Sequence, residues 1–322
     1  MKYKINEEYE LFKALCQSQS IEITQNTIPL IEKLEKKHLQ VSKDDQAFFL
    51  ADKICVLSET KIRSGMNPDI NESVGQLKVI FATDSTNKLI ATFAADKLYS
   101  ILAAEYQSEG QGRREKNWVS PLGCNIYLSI QFQLKQSENA QFIPLITARS
   151  VCKALAQSGV DNCMIKWPND IYLDDKKVAG ILVENRYNSN KGSTFVVGIG
   201  INVNMQENDI IDQQWTSLRN SQNRIFDRNK ILSDLLSQTL ADYNQLSNFN
   251  VQQFKDDWET MDYLKGKKIQ VSEEFSNFNA FAHGISDDGA LIIERDNIRS
   301  NIYSAEVSVR PLAIPCVTQK KD

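Results

Sequence analysis

The chain has 322 residues, 42% of them apolar and 24% charged, which allows a sizeable core and more than one domain and argues against general disorder. Its 41 carboxylates outnumber its 37 lysines and arginines, so there is no global basic field for nucleic acid, and any DNA contact must rest on a local patch. Six scattered cysteines without a CxxC pair, no apolar signal core at the N-terminus and no bilayer-length apolar run point to a reduced, cytoplasmic setting and no membrane partner, while His38 and His283 lack ligand-like spacing.

In chain order, residues 7–17 place apolar groups at helical spacing and predict a short amphipathic helix. Residues 20–39 predict a second helix, capped by Thr24 or Asn26, with Pro29 in its first turn and Lys33, Lys36 and Lys37 along a basic flank. Residues 41–57 read as a small hairpin, so that residues 1–62 form a compact winged-helix-like unit. The polar stretch from Arg63, broken by Gly65 and Pro68, reads as a linker over 63–76.

From residue 77 the pattern is mixed α/β. Residues 77–82 and 102–106 read as strands, with Ser85-Thr86-Asn87 capping a helix between them. Residues 123–132 alternate: Ile126, Leu128, Ile130 and Phe132 face one side and Tyr127, Ser129 and Gln131 the other, which predicts a half-buried strand. A helix over 142–156, a strand over 163–167, a hairpin over 171–184 turned at Asp174-Asp175-Lys176, a strand over 194–204 and a long helix over 227–249 follow. This catalytic-sized domain runs over 77–263. Short strands and turns over 264–322 predict a small C-terminal barrel.

Three motifs carry chemistry. Gly110-Gln111-Gly112-Arg113-Arg114 follows a strand, and its glycines and forked guanidinium donors suit an anion; a solvated surface loop is the other reading. Lys166-Trp167-Pro168-Asn169-Asp170 sits at a strand end and presents Lys166, Asn169 and Asp170 toward a common cleft. Gly198-Ile199-Gly200-Ile201-Asn202 lacks the last glycine of a dinucleotide fingerprint, and reads as a strand whose glycines admit close approach. No P-loop is present.

Together with Asp84-Ser85-Thr86-Asn87 and Lys177-Val178-Ala179-Gly180-Ile181-Leu182-Val183-Glu184, these motifs in this order closely resemble biotin protein ligase (biotin–[acetyl-CoA-carboxylase] ligase) over residues 78–312. The resemblance implies an α+β fold, a mixed sheet with flanking helices shared with class II tRNA synthetases and lipoyl ligases, followed by an SH3-like barrel. It implies biotin, ATP and Mg2+, formation of biotinyl-5′-AMP, and transfer of biotin to one lysine of a carboxyl-carrier domain. By resemblance, Ser85, Thr86, Asn87 and Gln107 bind biotin's ureido head and its surroundings. Gln111, Gly112 and Arg113 close over its tail and the phosphate with Lys166. Arg114, Trp118, Asn169, Asp170, Asn202 and Arg310 hold the nucleotide and its magnesium, with no metal held by protein alone. Lys166, Arg113 and Asp170 are the catalytic candidates, Asp170 to orient or deprotonate the incoming lysine. Three plainer readings stay open: Ser85 as a helix cap, Trp118 as core, Arg310 as a surface charge.

The family loop usually reads Gly-Arg-Gly-Arg-Arg-Gly-Arg-Lys-Trp, whereas this chain has Gln111, Glu115, Lys116 and Asn117. A less cationic loop is expected to hold biotinyl-AMP more loosely. Bifunctional members carry a three-helix winged unit that represses biotin genes, of which only two helices are evident here; Thr24-Gln25-Asn26 with Lys33, Lys36 and Lys37 still suit a recognition helix, so operator DNA, like a homodimer, is a candidate partner beside the carrier protein. Rival readings are a lipoate or octanoyl ligase-like acyltransferase and a biotin-sensing repressor without enzymatic activity.

Overall fold

The computed structural model describes residues 7–93, 97–134, 139–188, 192–208, 210–273, 276–303 and 308–312. The outermost parts of the two predicted terminal domains, and Cys316, lie outside these residues.

The chain opens with α1 (Glu7–Ser18), β1 (Ser20–Glu22), α2 (Thr27–Glu35), β2 (Val41–Lys43) and β3 (Ala47–Leu50). The predicted second helix begins seven residues later than expected. Residues 20–22 instead pair antiparallel with β3, and the small sheet has the order β1-β3-β2. Thr24 marks the start of α2 by accepting from the Thr27 N–H (3.1 Å). Phe12, Leu15, Ile31, Leu34, Leu39, Phe48 and Leu50 form the core of this unit, which extends onto Phe81 and Leu122 of the following body.

The expected linker is a correction. Residues 59–73 form two helices, α3 (Glu59–Gly65) and α4 (Pro68–Ser73). Ser58 caps α3, and Asn67 caps α4 with Pro68 in its first turn, so residues that look like breaks are start signals. Gly65 is needed for packing: a Cβ there would stand 2.6 Å from the Ser233 hydroxyl. The irregular joint lies earlier, after Leu50, and residues 54–57 leave the predicted hairpin. Arg228 and Glu105, both fully buried and 2.8 Å apart, grip that segment. Arg228 donates to the Cys55 carbonyl (2.8 Å) and Glu105 accepts from the Leu57 N–H (2.6 Å).

The central sheet contains β4 (Val74–Thr83), β5 (Tyr99–Gln107), β6 (Ile126–Leu134), β7 (Met164–Lys166), β8 (Asp170–Leu173), β9 (Lys176–Asn188) and β10 (Gly192–Ile201) in the order β4-β5-β6-β10-β9-β8-β7. Only the β4–β5 pair is parallel, which makes the sheet mixed. The short α5 (Thr86–Ile90) joins β4 to β5. Alternation along each strand sends Ile126, Leu128, Ile130, Val197, Ile199 and Ile181 into the main core with α6 (Ile143–Gln157) and α8 (Arg228–Asn244). Along β6 the predicted alternation is present, but Tyr127, Ser129 and Gln131 are also buried. The polar side of this strand is covered, so it is not the half-exposed strand its pattern suggests.

Beyond α7 (Leu218–Gln222) and α9 (Val251–Glu259), both shorter than the periodicity reveals, come β11 (Lys268–Ser272), β12 (Asn277–Ile285), β13 (Leu291–Arg295), β14 (Ile298–Ile302) and β15 (Ser308–Pro311). They form an antiparallel sheet ordered β14-β13-β12-β11-β15. Residues 261–263 fasten it to the edge strand β7: the Ile165 N–H donates to the Met261 carbonyl (2.6 Å) and the Tyr263 N–H to the Ile165 carbonyl (2.9 Å). The Trp167 indole donates to the Gly289 carbonyl (3.0 Å) across the same junction.

Candidate active site

A cleft of about 480 Å³ opens on the face of the central sheet opposite α6 and α8. Every site residue predicted from sequence lines it: Ser85, Thr86, Asn87, Gln107, Gln111, Gly112, Arg113, Arg114, Trp118, Lys166, Asn169, Asp170, Asn202 and Arg310.

The floor is made by glycines. Gly200 of β10 and Gly180 of β9 are cross-strand partners, and a Cβ on either would meet the Trp118 ring, at 2.6 Å from its Nε1 for Gly200 and 3.0 Å from its Cζ3 for Gly180. Gly198 likewise gives room to Asn87, whose Oδ1 would lie 2.5 Å from an added Cβ. The close-approach reading of these glycines holds. Trp118 is a half-buried cleft wall laid on that floor, not a core residue.

One end of the cleft is wired by hydrogen bonds. Ser85 stands at the N-cap of α5 but makes no capping side-chain bond, so it is not a mere cap. The Thr86 N–H donates to Gln107 Oε1 (2.8 Å), and the Thr86 hydroxyl lies 3.0 Å from the same oxygen. Gln107 Nε2 donates to Ser120 (3.1 Å), and Ser120 donates to the Trp118 carbonyl (2.9 Å). Ser129 lies 2.6 Å from Asn87 Oδ1 and 2.8 Å from Thr86 Oγ1, and Asn87 Nδ2 donates to Glu184 (2.9 Å).

The other end gathers cations. Arg113 donates to Asn169 Oδ1 (3.1 Å), while Asn169 Nδ2 donates to the Ile181 carbonyl (2.7 Å), fixing the loop to β9. Burial holds the Arg113 guanidinium below its ordinary pKa; Asp170 opposes this and Arg114 adds to it. Burial likewise pushes the Lys166 ammonium below the ordinary lysine range, opposed by Asp170 and reinforced by Lys177, Arg310 and Lys116. Lys166 donates to the Tyr172 hydroxyl (3.3 Å), and the Tyr172 ring stacks on Tyr263 with centroids 4.7 Å apart. Arg310 is exposed, yet it lines the cleft from β15 and its charge reaches Lys166, so it is more than a distant surface charge.

Two placements differ from expectation. The Asp170 carboxylate is ion-paired with Lys177 at 2.8 Å, so it is not free to act as a base while that pair holds. Asn202 is buried and donates to the Thr216 carbonyl (3.1 Å), bracing the chain at 202–218. Lys177, Ser129, Ser120 and Glu184 went unrecognised as site residues. Lys177 sits in a motif that sequence reasoning had already noted, and that was the available signal for it.

The arginine loop closes on itself. The Gly112 N–H donates to the Lys116 carbonyl and the Trp118 N–H to the Gly110 carbonyl, both at 2.7 Å. Gln111 bridges Asn117 across this miniature hairpin. Arg114 and Glu115 at its tip have φ of 55° and 57°.

The biotin/lipoate A/B protein ligase family model matches residues 79–202. The bifunctional ligase/repressor BirA of Escherichia coli (strain K12) is 31% identical over 240 residues, covering 73% of this chain and 74% of the relative. The chain belongs to the biotin protein ligase family. A biotin–[acetyl-CoA-carboxylase] ligase of Mycobacterium tuberculosis (strain ATCC 25618 / H37Rv) is 30% identical, over 68% of this chain and 83% of that relative. Among solved structures, the biotin protein ligase from Aquifex aeolicus in complex with biotin and ATP is 28% identical, with a TM-score of 0.64 over 75% of this chain and 100% of that one. The family match at 79–202 spans β4 through β10, so it includes the glycine floor and the wired end of the cleft.

Proposed function

We propose that this biotin protein ligase family member activates biotin with Mg-ATP as biotinyl-5′-AMP and transfers it to a lysine of a biotin carboxyl-carrier protein. The observation that carries this reading is one cleft with a hydrogen-bonding array at one end and Arg113, Lys166, Lys177 and Arg310 at the other. A carboxylate oxygen of biotin attacks the α-phosphorus and pyrophosphate leaves; the carrier lysine nitrogen then attacks the acyl carbon and AMP leaves. Two anions must meet in the first step, so convergent cations are what it needs.

In this reading Thr86, Asn87 and Gln107 take the ureido head, with Ser85 beside them. Gly112 and Arg113 cover the tail, Gln111 and Arg114 stand at the mouth, and Lys166 with Lys177 holds the carboxylate and α-phosphate. Trp118, Asn169, Asn202 and Arg310 serve the nucleotide, and loop closure keeps water from the mixed anhydride. Magnesium arrives with the nucleotide and neutralises phosphate charge. The ion would be ligated largely by phosphates and water, beside Asp170. Asp170 becomes available to the carrier lysine when phosphate oxygens draw Lys177 away.

Operator DNA is a candidate partner of the N-terminal unit, whose charge is nearly balanced. Residues 1–54 carry nine carboxylates and eight lysines. Lys37 is tied to Glu8 (2.6 Å), and its carbonyl accepts from the Leu122 N–H (2.9 Å), so it faces the body of the protein. Salt-dependent operator binding that tightens with biotin and ATP is the test of the repressor reading; a second copy is proposed as a further partner.

The deciding experiment incubates the protein with biotin, Mg-ATP and a carrier domain and reads pyrophosphate and carrier biotinylation. Both products are expected; neither appearing would remove the ligase reading. A bystander protein in the same reaction tests the Gln111 loop: labelled bystander lysines are expected, and their absence would show that the intermediate is retained.

A further inference from the structure

Glu184 of β9 lies on the same face as Gly180 and Leu182, behind Asn87 as seen from the cleft, and it is not itself part of the cleft wall. Its carboxylate accepts from Asn87 Nδ2 at 2.9 Å. On the other side of the same amide, Ser129 stands 2.6 Å from Asn87 Oδ1, and an amide oxygen cannot donate, so the Ser129 proton points to Asn87. Ser129, a hydroxyl that can also accept and has Thr86 Oγ1 at 2.8 Å, would tolerate either orientation, so it is the acceptor-only Glu184 carboxylate that defines the orientation of the amide. Turning it over would set Oδ1 against the Glu184 carboxylate, two acceptors face to face.

We infer that Glu184 sets the hydrogen-bond polarity of the wired end of the cleft, holding Asn87 Oδ1 as an acceptor so that the site selects a ligand head bearing N–H donors. This rests on the ligase reading above and adds a positioning residue to it. Gln107 Oε1 already receives the Thr86 N–H and has the Thr86 hydroxyl within 3.0 Å. Asn87 Oδ1 therefore supplies the acceptor capacity that a ureido N–H needs. A dithiolane head offers no such donor, so the same bond separates biotin from lipoate, the two acids joined in the family's description. Remove the carboxylate and the amide is free to turn, presenting N–H to N–H.

The test uses the full chain and begins with calorimetric biotin binding and biotin-dependent pyrophosphate release by the unaltered protein; if both are absent, the ligase reading itself fails. With that reading secure, Glu184→Ala is expected to raise the KM for biotin and for desthiobiotin by the same factor, about tenfold, the weight of one buried hydrogen bond. The KM for ATP, kcat and Tm are expected to stay near their starting values. Glu184→Gln keeps an acceptor oxygen for Asn87 Nδ2 and is expected to stay within about twofold. A biotin KM unchanged in Glu184→Ala overturns the inference, as does a parallel rise in the ATP KM or a fall in Tm, which would mark general loosening. Glu184→Gln as damaging as Glu184→Ala also overturns it, since charge and not amide orientation would then be the cause.

Discussion

The two ends of the cleft are built by opposite means. At the Asn87 end, Ser85, Thr86, Asn87, Gln107 and Ser129 are buried, and the array of which they form part is paired before any ligand arrives. At the Lys166 end the cations come from a self-closed loop, a strand end, a hairpin and the C-terminal sheet, with Arg114 and Arg310 exposed. Head recognition is preorganised, whereas phosphate recognition gathers separate elements around a charge that is supplied by the ligand. The contrast makes chemical sense: a neutral head can meet a finished site, but a cluster of cations without an anion repels itself.

The sharpest way to break this contrast is Lys166→Ala. Pyrophosphate release is expected to fall roughly 100- to 1,000-fold while biotin binding by calorimetry, which loses one of the two lysines on its carboxylate, falls far less; equal loss of both would show that the two ends are one unit. Next is Gly200→Ala, which pushes a methyl group into the Trp118 indole. A cost of about 1–3 kcal/mol in stability, read as a lower denaturant midpoint, should accompany a raised KM for ATP. A biotin KM that rose just as much would erase the distinction.

A smaller effect concerns pH. Burial, with help from Arg310, depresses the Lys166 pKa, so the cation is lost below the pH at which a free lysine would titrate. The alkaline fall in kcat/KM therefore starts early. Arg310→Ala removes a repelling charge, raises that pKa, and should move the alkaline limb upward in a pH–rate profile. The sign for stability agrees: a lysine whose folded pKa lies below its unfolded value makes the fold more stable as pH rises from the folded pKa toward the unfolded one. The smallest effect is Glu115→Gly at the tip of the arginine loop. It relieves a left-handed conformation of about 1–2 kcal/mol, partly offset by the greater freedom of unfolded glycine, so a slight rise in Tm is expected.

Sequence reasoning reached the cation end more fully than the wired end, and the reason is physical. Arg113, Lys166 and the glycines have local meanings, because guanidinium forks and missing Cβ atoms act wherever they stand. Ser129 and Glu184 do not: a polar residue on an alternating strand has the pattern of a solvent-facing one until another element covers it. Lys177 stands in a recognisable motif, but its role in the site depends on β8 bringing Asp170 alongside. Ser58 and Asn67-Pro68 were visible, yet with Gly65 between them two consecutive short helices look like a broken linker. Only the packing of α3 and α4 against α8 tells the two apart.

The grip of Glu105 and Arg228 on residues 55–57 has a mechanical consequence. With Leu50 ending β3 and Cys55 held, the joint is residues 51–54, a span of at most about 14 Å when fully extended, and even this is tied to the body where the Asp52 carboxylate accepts two bonds from Arg219 of α7 (2.6 and 2.7 Å). Such a leash is too short for the N-terminal unit to leave the body and search for a distant partner. If it detached from Phe81 and Leu122, its effective local concentration there would stay in the millimolar range or above, and it would be recaptured before it could diffuse away.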